Sequence, residues 1–191
     1  MDGFWSGFWG PFFTFTGSVI VAVVVNFVAE DFRRFRDGSA LASALAGELL
    51  SYAAAIGELT QNITLLAEQA EAGNMIRVAE IEMPRDLMYE SAVPKIGLLG
   101  TALPENVALA YGRIRAFRTL YMLIASGKPE CDAAGLGRLY RQLLVKIGEA
   151  EQEGRQTVAL LHARAGESIC VALQAAWANR RCGRTRSRAS E

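Results

Sequence analysis

Few side chains in this sequence could carry chemistry. The 191-residue chain holds a single histidine, His162, and three cysteines, Cys131, Cys170 and Cys182. A metal centre needs several His, Cys or carboxylate ligands at workable spacing, and a cysteine nucleophile needs a base within hydrogen-bond reach. His162 and Cys170 stand about two helical turns apart, too far to share one site on a helix. The cysteines are odd in number and widely separated. That describes neither a disulfide framework nor a CxxC knuckle, and it fits a reducing compartment. No GxxxxGKS/T or GxGxxG run is present to cradle a phosphate. Glu80 and Glu82 form an acidic pair read as solvated carboxylates. The expectation is a noncatalytic protein, with no catalytic, cofactor-binding or metal-ligating residues and no cofactor.

The elements that would position any site begin with a membrane anchor, residues 1–36. Residues 3–29 carry no formal charge, and eight of the nine Phe lie at or before Phe35. About 20 apolar helical residues cross a hydrocarbon core, so a span over roughly 8–29 is long enough. Trp5 and Trp9 anchor one interface, and Arg33, Arg34 and Arg36 mark the other. A cleaved signal peptide would begin with basic residues, and no Lys or Arg precedes Arg33. The positive-inside rule puts the N-terminus outside and the rest in the cytoplasm of a bacterial inner membrane. Thr14, Ser18, Ala22 and Asn26 recur every fourth residue as a small, polar stripe suited to helix packing, either self-association or a membrane partner.

Residues 37–179 read as a cytoplasmic helical region. Leu41, Leu45, Leu49, Tyr52, Ile56, Leu59, Ile63 and Leu66 recur at steps of three and four, which predicts one amphipathic helix that either continues from the anchor or restarts at Asp37 and Gly38. Gly73 and Asn74 should end it. A second stripe runs Val107, Tyr111, Ile114, Phe117, Tyr121 and Ile124 between Pro104 and Gly127, and a third runs from Leu136 to Ile169, weakly on toward Ala176, with Gly148, Gly154 and Gly166 as places to bend or break. No alternating β-branched run appears outside the anchor. The fold class expected is all-α: a single N-terminal transmembrane helix followed by an antiparallel bundle of about three long helices. Residues 48–105 carry nine acids against three bases, and residues 113–191 fourteen bases against seven acids, so the helices should be complementary in charge. The irregular connection 74–103 is long enough that it should lie ordered over the helices, with a short helix near Arg85–Ala92.

That connection carries a resemblance. The stretch EMPRDLMYESAVPKIGLLGTALPENVALAYGRIRAF is similar to a pattern in small bacterial and phage membrane proteins that pair one N-terminal transmembrane helix with a cytoplasmic helical region. The matching elements are Pro84, Tyr89, Lys95, Ile96, Gly97, Leu98, Leu99, Tyr111 and Arg113, and residues 100–102 make the spacing longer than in that pattern. The resemblance implies an organisation and no activity. Tyr89, Pro94, Lys95, Gly97, Leu98 and Leu99 are the candidate interaction motif. Their packing account is that Gly97 takes a positive φ, Leu98 and Leu99 bury, and Pro104 starts the next helix.

The tail, residues 180–191, holds Arg180, Arg181, Arg184, Arg186 and Arg188. It reads as a disordered, solubilising segment, with anionic lipid as its alternative contact. Nucleic acid is disfavoured, because Trp177 alone among the aromatics accompanies these arginines. The functional expectation is a membrane-anchored helical scaffold or adaptor whose partners are the lipid bilayer and another protein or a second copy. The alternatives are an oligomeric, membrane-active protein of the phage or toxin kind, and a ligand-binding domain or enzyme that uses residues 74–103.

Overall fold

The computed structural model describes residues 4–128 and 130–168, with side chains from Val25 onward. The regular structure among them is helical: α1 (Phe4–Glu71), α2 (Leu87–Ala92), a 3-10 helix (Val93–Leu99), α3 (Leu103–Ala125) and α4 (Ala133–Gly166). α1 runs through Asp37 and Gly38 without a break, which decides for continuation over restart. A single glycine costs a helix only about 1 kcal/mol, and the i,i+3 and i,i+4 pairs of Glu30 with Arg33 and Arg34 support the preceding turn. Residues up to Gly38 and residues Ser39–Glu167 belong to two different compact units.

In the first unit, Val25, Phe27, Val28 and Phe32 are each more than half exposed. Among the described residues one helix, Val25–Glu71, is long and apolar enough to cross a membrane.

The second unit holds two hydrophobic clusters. Ala42, Leu45, Ala46 and Leu49 of α1 pack with Val107 and Tyr111 of α3, Leu161 of α4, and Ala92 and Leu99 of the connection. Farther along α1, Ile63, Ala67 and Ala70 pack with Tyr121 and Ile124 of α3 and with Leu136, Tyr140, Leu143 and Ile147 of α4. Residue numbers therefore rise from the first cluster to the second in both α1 and α3, and fall in α4. After α1 ends at the second cluster, the chain must return to the first before α3 can begin. A non-helical residue advances up to about 3.3 Å against about 1.5 Å for a helical one, so residues 74–86 can retrace α1 from Leu45 to Glu71. The long connection is this return strap.

Local signals set the ends. Gly73, at φ 91°, and Asn74 close α1 with paired bonds to the carbonyls of Ala70 and Gln69, the arrangement that satisfies a helix C-terminus through a left-handed glycine. Pro104 stands in the first turn of α3, and the Asp132 carboxylate caps α4 by accepting from the Gly135 amide at 2.8 Å. Gly148 and Gly154 do not interrupt α4, which ends at Gly166. The expected continuation toward Ala176 lies outside the described residues from Ile169 on. Gly97 departs from expectation. The 3-10 helix winds through it, and the left-handed conformation falls three residues later at Gly100, with φ 101°.

The strap has few backbone partners of its own, and buried tyrosines supply them. The Tyr140 hydroxyl donates to the Ile76 carbonyl at 2.8 Å and accepts from the Val78 amide at 3.1 Å, while the Tyr121 hydroxyl donates to the Ala79 carbonyl at 3.0 Å. Burial pushes the pKa of both phenols up. Tyr140→Phe should leave a strap amide and carbonyl without their partner at a cost of about 1–3 kcal/mol. Faster amide exchange at Val78 and a lower chemical-denaturation midpoint are the measurements that check it.

Candidate functional site

Where the strap meets α2, polar side chains converge from three elements. Asp86 occupies the N-cap position of α2, yet its side chain makes no capping bond. Glu48 of α1 caps instead: its two carboxylate oxygens accept from the Met88 and Tyr89 amides at 3.0 and 3.1 Å, the second and third residues of α2. The same carboxylate accepts from the Tyr111 hydroxyl at 2.6 Å. Asp86 is thereby released to accept from Tyr52 Oη at 3.1 Å, Arg118 Nη1 at 2.6 Å and Arg115 Nε at 3.2 Å.

Aromatic faces complete the cluster. Tyr89 stacks on Tyr111 with centroids 4.1 Å apart and carries the Arg115 guanidinium at 5.2 Å. Arg118 lies 5.0 Å over the Tyr52 ring. Exposure separates the two arginines: the Asp86 and Arg118 side chains are 4% and 14% exposed, whereas Arg115 is 51% exposed. The first pair is a desolvated ion pair, and the second is a screened surface contact. Burial opposes the charge on Arg118, but its contacts with Tyr52 and Asp86 outweigh that and hold its pKa above the usual value. Desolvation, reinforced by the bond to Glu48, pushes the Tyr111 phenol far up. Two acids and two bases balance, and neither Cys nor His takes part. The arrangement docks α2 and the strap onto α1 and α3.

Beside this cluster is an apolar cleft of about 400 Å³. Its walls are Tyr52, Ile56 and Leu59 of α1, Ile81 and Met83 of the strap, and Phe117 of α3, with Ile147 and Ala150 of α4 behind them. It borders the second core cluster at Tyr121 and Ile147 and reaches the edge of the first at Tyr52 and Ile114, and the two clusters have no buried residue in common.

The candidate residues from the sequence divide as follows. Tyr89 and Leu99 pack on the first core cluster, Leu98 is half-buried, and Pro94, Lys95 and Gly97 are exposed. Asn26, Arg33, Arg34 and Arg36 are exposed, and Arg33 and Arg34 share Glu30. The side chains of Trp5, Trp9, Thr14, Ser18 and Ala22, and all of Arg180, Arg181, Arg184, Arg186 and Arg188, lie outside the described residues, as do Cys170 and Cys182. Glu80, Glu82 and His162 are exposed. No group of three His, Cys, Asp or Glu able to hold a metal occurs among the described residues. Charge complementarity takes the form of Glu71 with Arg141, at 2.8 Å, and Asp86 with the two arginines.

Glu48, Asp86, Arg115 and Arg118 are absent from the candidates the sequence offered. One signal pointed at them: all five tyrosines fall between Tyr52 and Tyr140, on or beside apolar stripes, and a buried phenol needs a hydrogen-bond partner.

Asp86→Asn should destabilise the protein by about 3 kcal/mol or more, because it strands the mostly buried Arg118 charge, whereas Arg115→Ala should cost no more than about 1 kcal/mol. Urea titrations of the two variants distinguish them. The raised phenol pKa of Tyr111 means that the fold holds a proton which the unfolded chain releases above about pH 10. Stability should therefore hold below that pH and fall above it, with a shallower fall in Tyr111→Phe. Compared with protein-family models, curated proteins and solved structures, the chain matches none, so the reading of its function rests on its own residues.

Proposed function

We propose that this is a noncatalytic, single-pass membrane protein that acts as a scaffold or adaptor, with residues 39–167 as a three-helix bundle in which α4 runs antiparallel to α1 and α3. The observation that carries the proposal is the exposure of Val25, Phe27, Val28 and Phe32 on a helix whose preceding residues are also uncharged and apolar. In water such a surface drives association, whereas in hydrocarbon it is at its lowest free energy. The basic flank at Arg33, Arg34 and Arg36 favours a cytoplasmic bundle in a bacterial inner membrane, in keeping with the resemblance to small bacterial and phage membrane proteins. A protein partner is favoured by the outer face of α2 and the 3-10 helix, where Leu87, Met88 and Val93 are about half exposed or more.

The full-length chain should sediment with membranes and resist carbonate extraction, and Ile20→Lys combined with Val24→Lys should release it. A reporter fused at the C-terminus should read cytoplasmic. A photo-crosslinking residue at position 87 should capture a protein partner, and Leu87→Ser with Val93→Ser should lose it. A wild-type chain that stays in the soluble fraction overturns the anchor, and crosslinks confined to residues 1–36 favour the oligomeric, membrane-active reading.

A further inference from the structure

The waist between the two core clusters is built to stay open. Small residues line it from both sides: Ala55 of α1 borders the larger cleft and Ala53 a smaller void beside it, and from α4 Ala150 borders both and Gly154 the smaller one, where larger side chains would fill the space. A Cβ built on Gly154 meets nothing within 4 Å, so close helix packing does not demand that glycine. A second void of about 140 Å³ shares Tyr52, Ile56, Ile114 and Ala150 with the 400 Å³ cleft and extends it toward Leu49, Gly154 and Val158. Their lining residues on α1 run from Leu49 to Asn62, about 20 Å of helix at about 1.5 Å per residue, so the apolar surface they offer is elongated rather than round.

We infer that this waist binds a linear aliphatic chain of the fatty-acyl kind. Volumes of roughly 300–1,000 Å³ lined mainly by hydrophobic side chains are those of small-molecule sites. The polar groups available also restrict the ligand. Arg118 is engaged by Asp86 and by the Tyr52 ring, so it does not offer a free counter-charge to a buried anion. Glu58 and Asn62 are exposed at the rim, where a polar head group would sit in contact with water. A charged or hydrogen-bonding body inside the cleft would lose its hydration without replacement, whereas a hydrocarbon gains from the transfer. The elongated space favours a chain over a compact ring system. Ile81 and Met83 make the strap one wall, so the ligand enters along its edge. All the lining residues belong to the unit 39–167, and the inference stands apart from the membrane reading.

The experiment uses full-length protein in discs of native membrane. One arm adds a diazirine-bearing palmitate from solution, the other incorporates a phosphatidylcholine with the same group in its acyl chain, and labelled peptides are mapped by mass spectrometry. Label should appear on the peptides holding Ile81 and Met83 or Phe117 in at least one arm. Labelling in the first arm alone identifies a free acid as the source, and in the second alone a bilayer lipid. Ala55→Trp, which fills the cleft, and Gly154→Leu, which fills the smaller void, should each reduce the label at least tenfold with the helical circular dichroism retained. Either variant suffices if the other fails to fold. Absence of label from these peptides in both arms, or undiminished label in a folded variant, overturns the inference.

Discussion

A strap that runs back along packed helices has no helical ladder, so its backbone donors and acceptors must find partners elsewhere. This follows from one topological fact, that α1 and α3 pass between the two core clusters in the same sense, and most of the polar architecture answers to it. Tyr140 and Tyr121 hold the strap over the second cluster, and Tyr52 meets it at Asp86. Each tyrosine contributes a ring to the apolar interior and a hydroxyl to the strap, which phenylalanine could not do. The composition reflects this: phenylalanine is concentrated in the segment proposed for hydrocarbon, and tyrosine in the unit that holds a strap.

At the end of the strap a capping role changes hands. Asp86 stands where a helix N-cap belongs, but Arg118 and Tyr52 take its carboxylate, and Glu48 reaches over from α1 to the α2 amides. The exchange ties α2 to α1 and the strap to α3. A buried ion pair is weak evidence of net stability, since desolvation offsets most of its attraction. Its stronger effect here is on register, because sliding the strap would leave both Asp86 and Arg118 buried without partners.

The strap also explains the waist. It covers the helices without filling the space between them, and with alanines on one side and Ala150 and Gly154 on the other, the two clusters stay apart. The apolar cleft is the outcome, next to a polar cluster whose charges already balance. A site of that character selects hydrocarbon over charge.

The locally encoded features were legible in the sequence. Stripes at steps of three and four gave α1, α3 and α4 their existence and inward faces, and Gly73, Pro104 and Gly127 gave most of their ends, because a positive φ or a missing N–H acts within a turn. The uncharged run before Glu30 was legible for the same reason. The direction of each helix was not, since periodicity reads the same for parallel and antiparallel neighbours. The thirty residues between Gly73 and Pro104 were the one hint, being far longer than an antiparallel turn requires. The left-handed turn at Gly100 rather than Gly97 depends on how far the 3-10 helix winds over the first cluster. Glu48, Asp86, Arg118 and the tyrosine pins join residues 32 to 64 positions apart. The residue types at those positions were visible in the sequence, but only the packed structure could pair them, because burial removes water as the competing partner and leaves each polar group to the neighbours the fold provides.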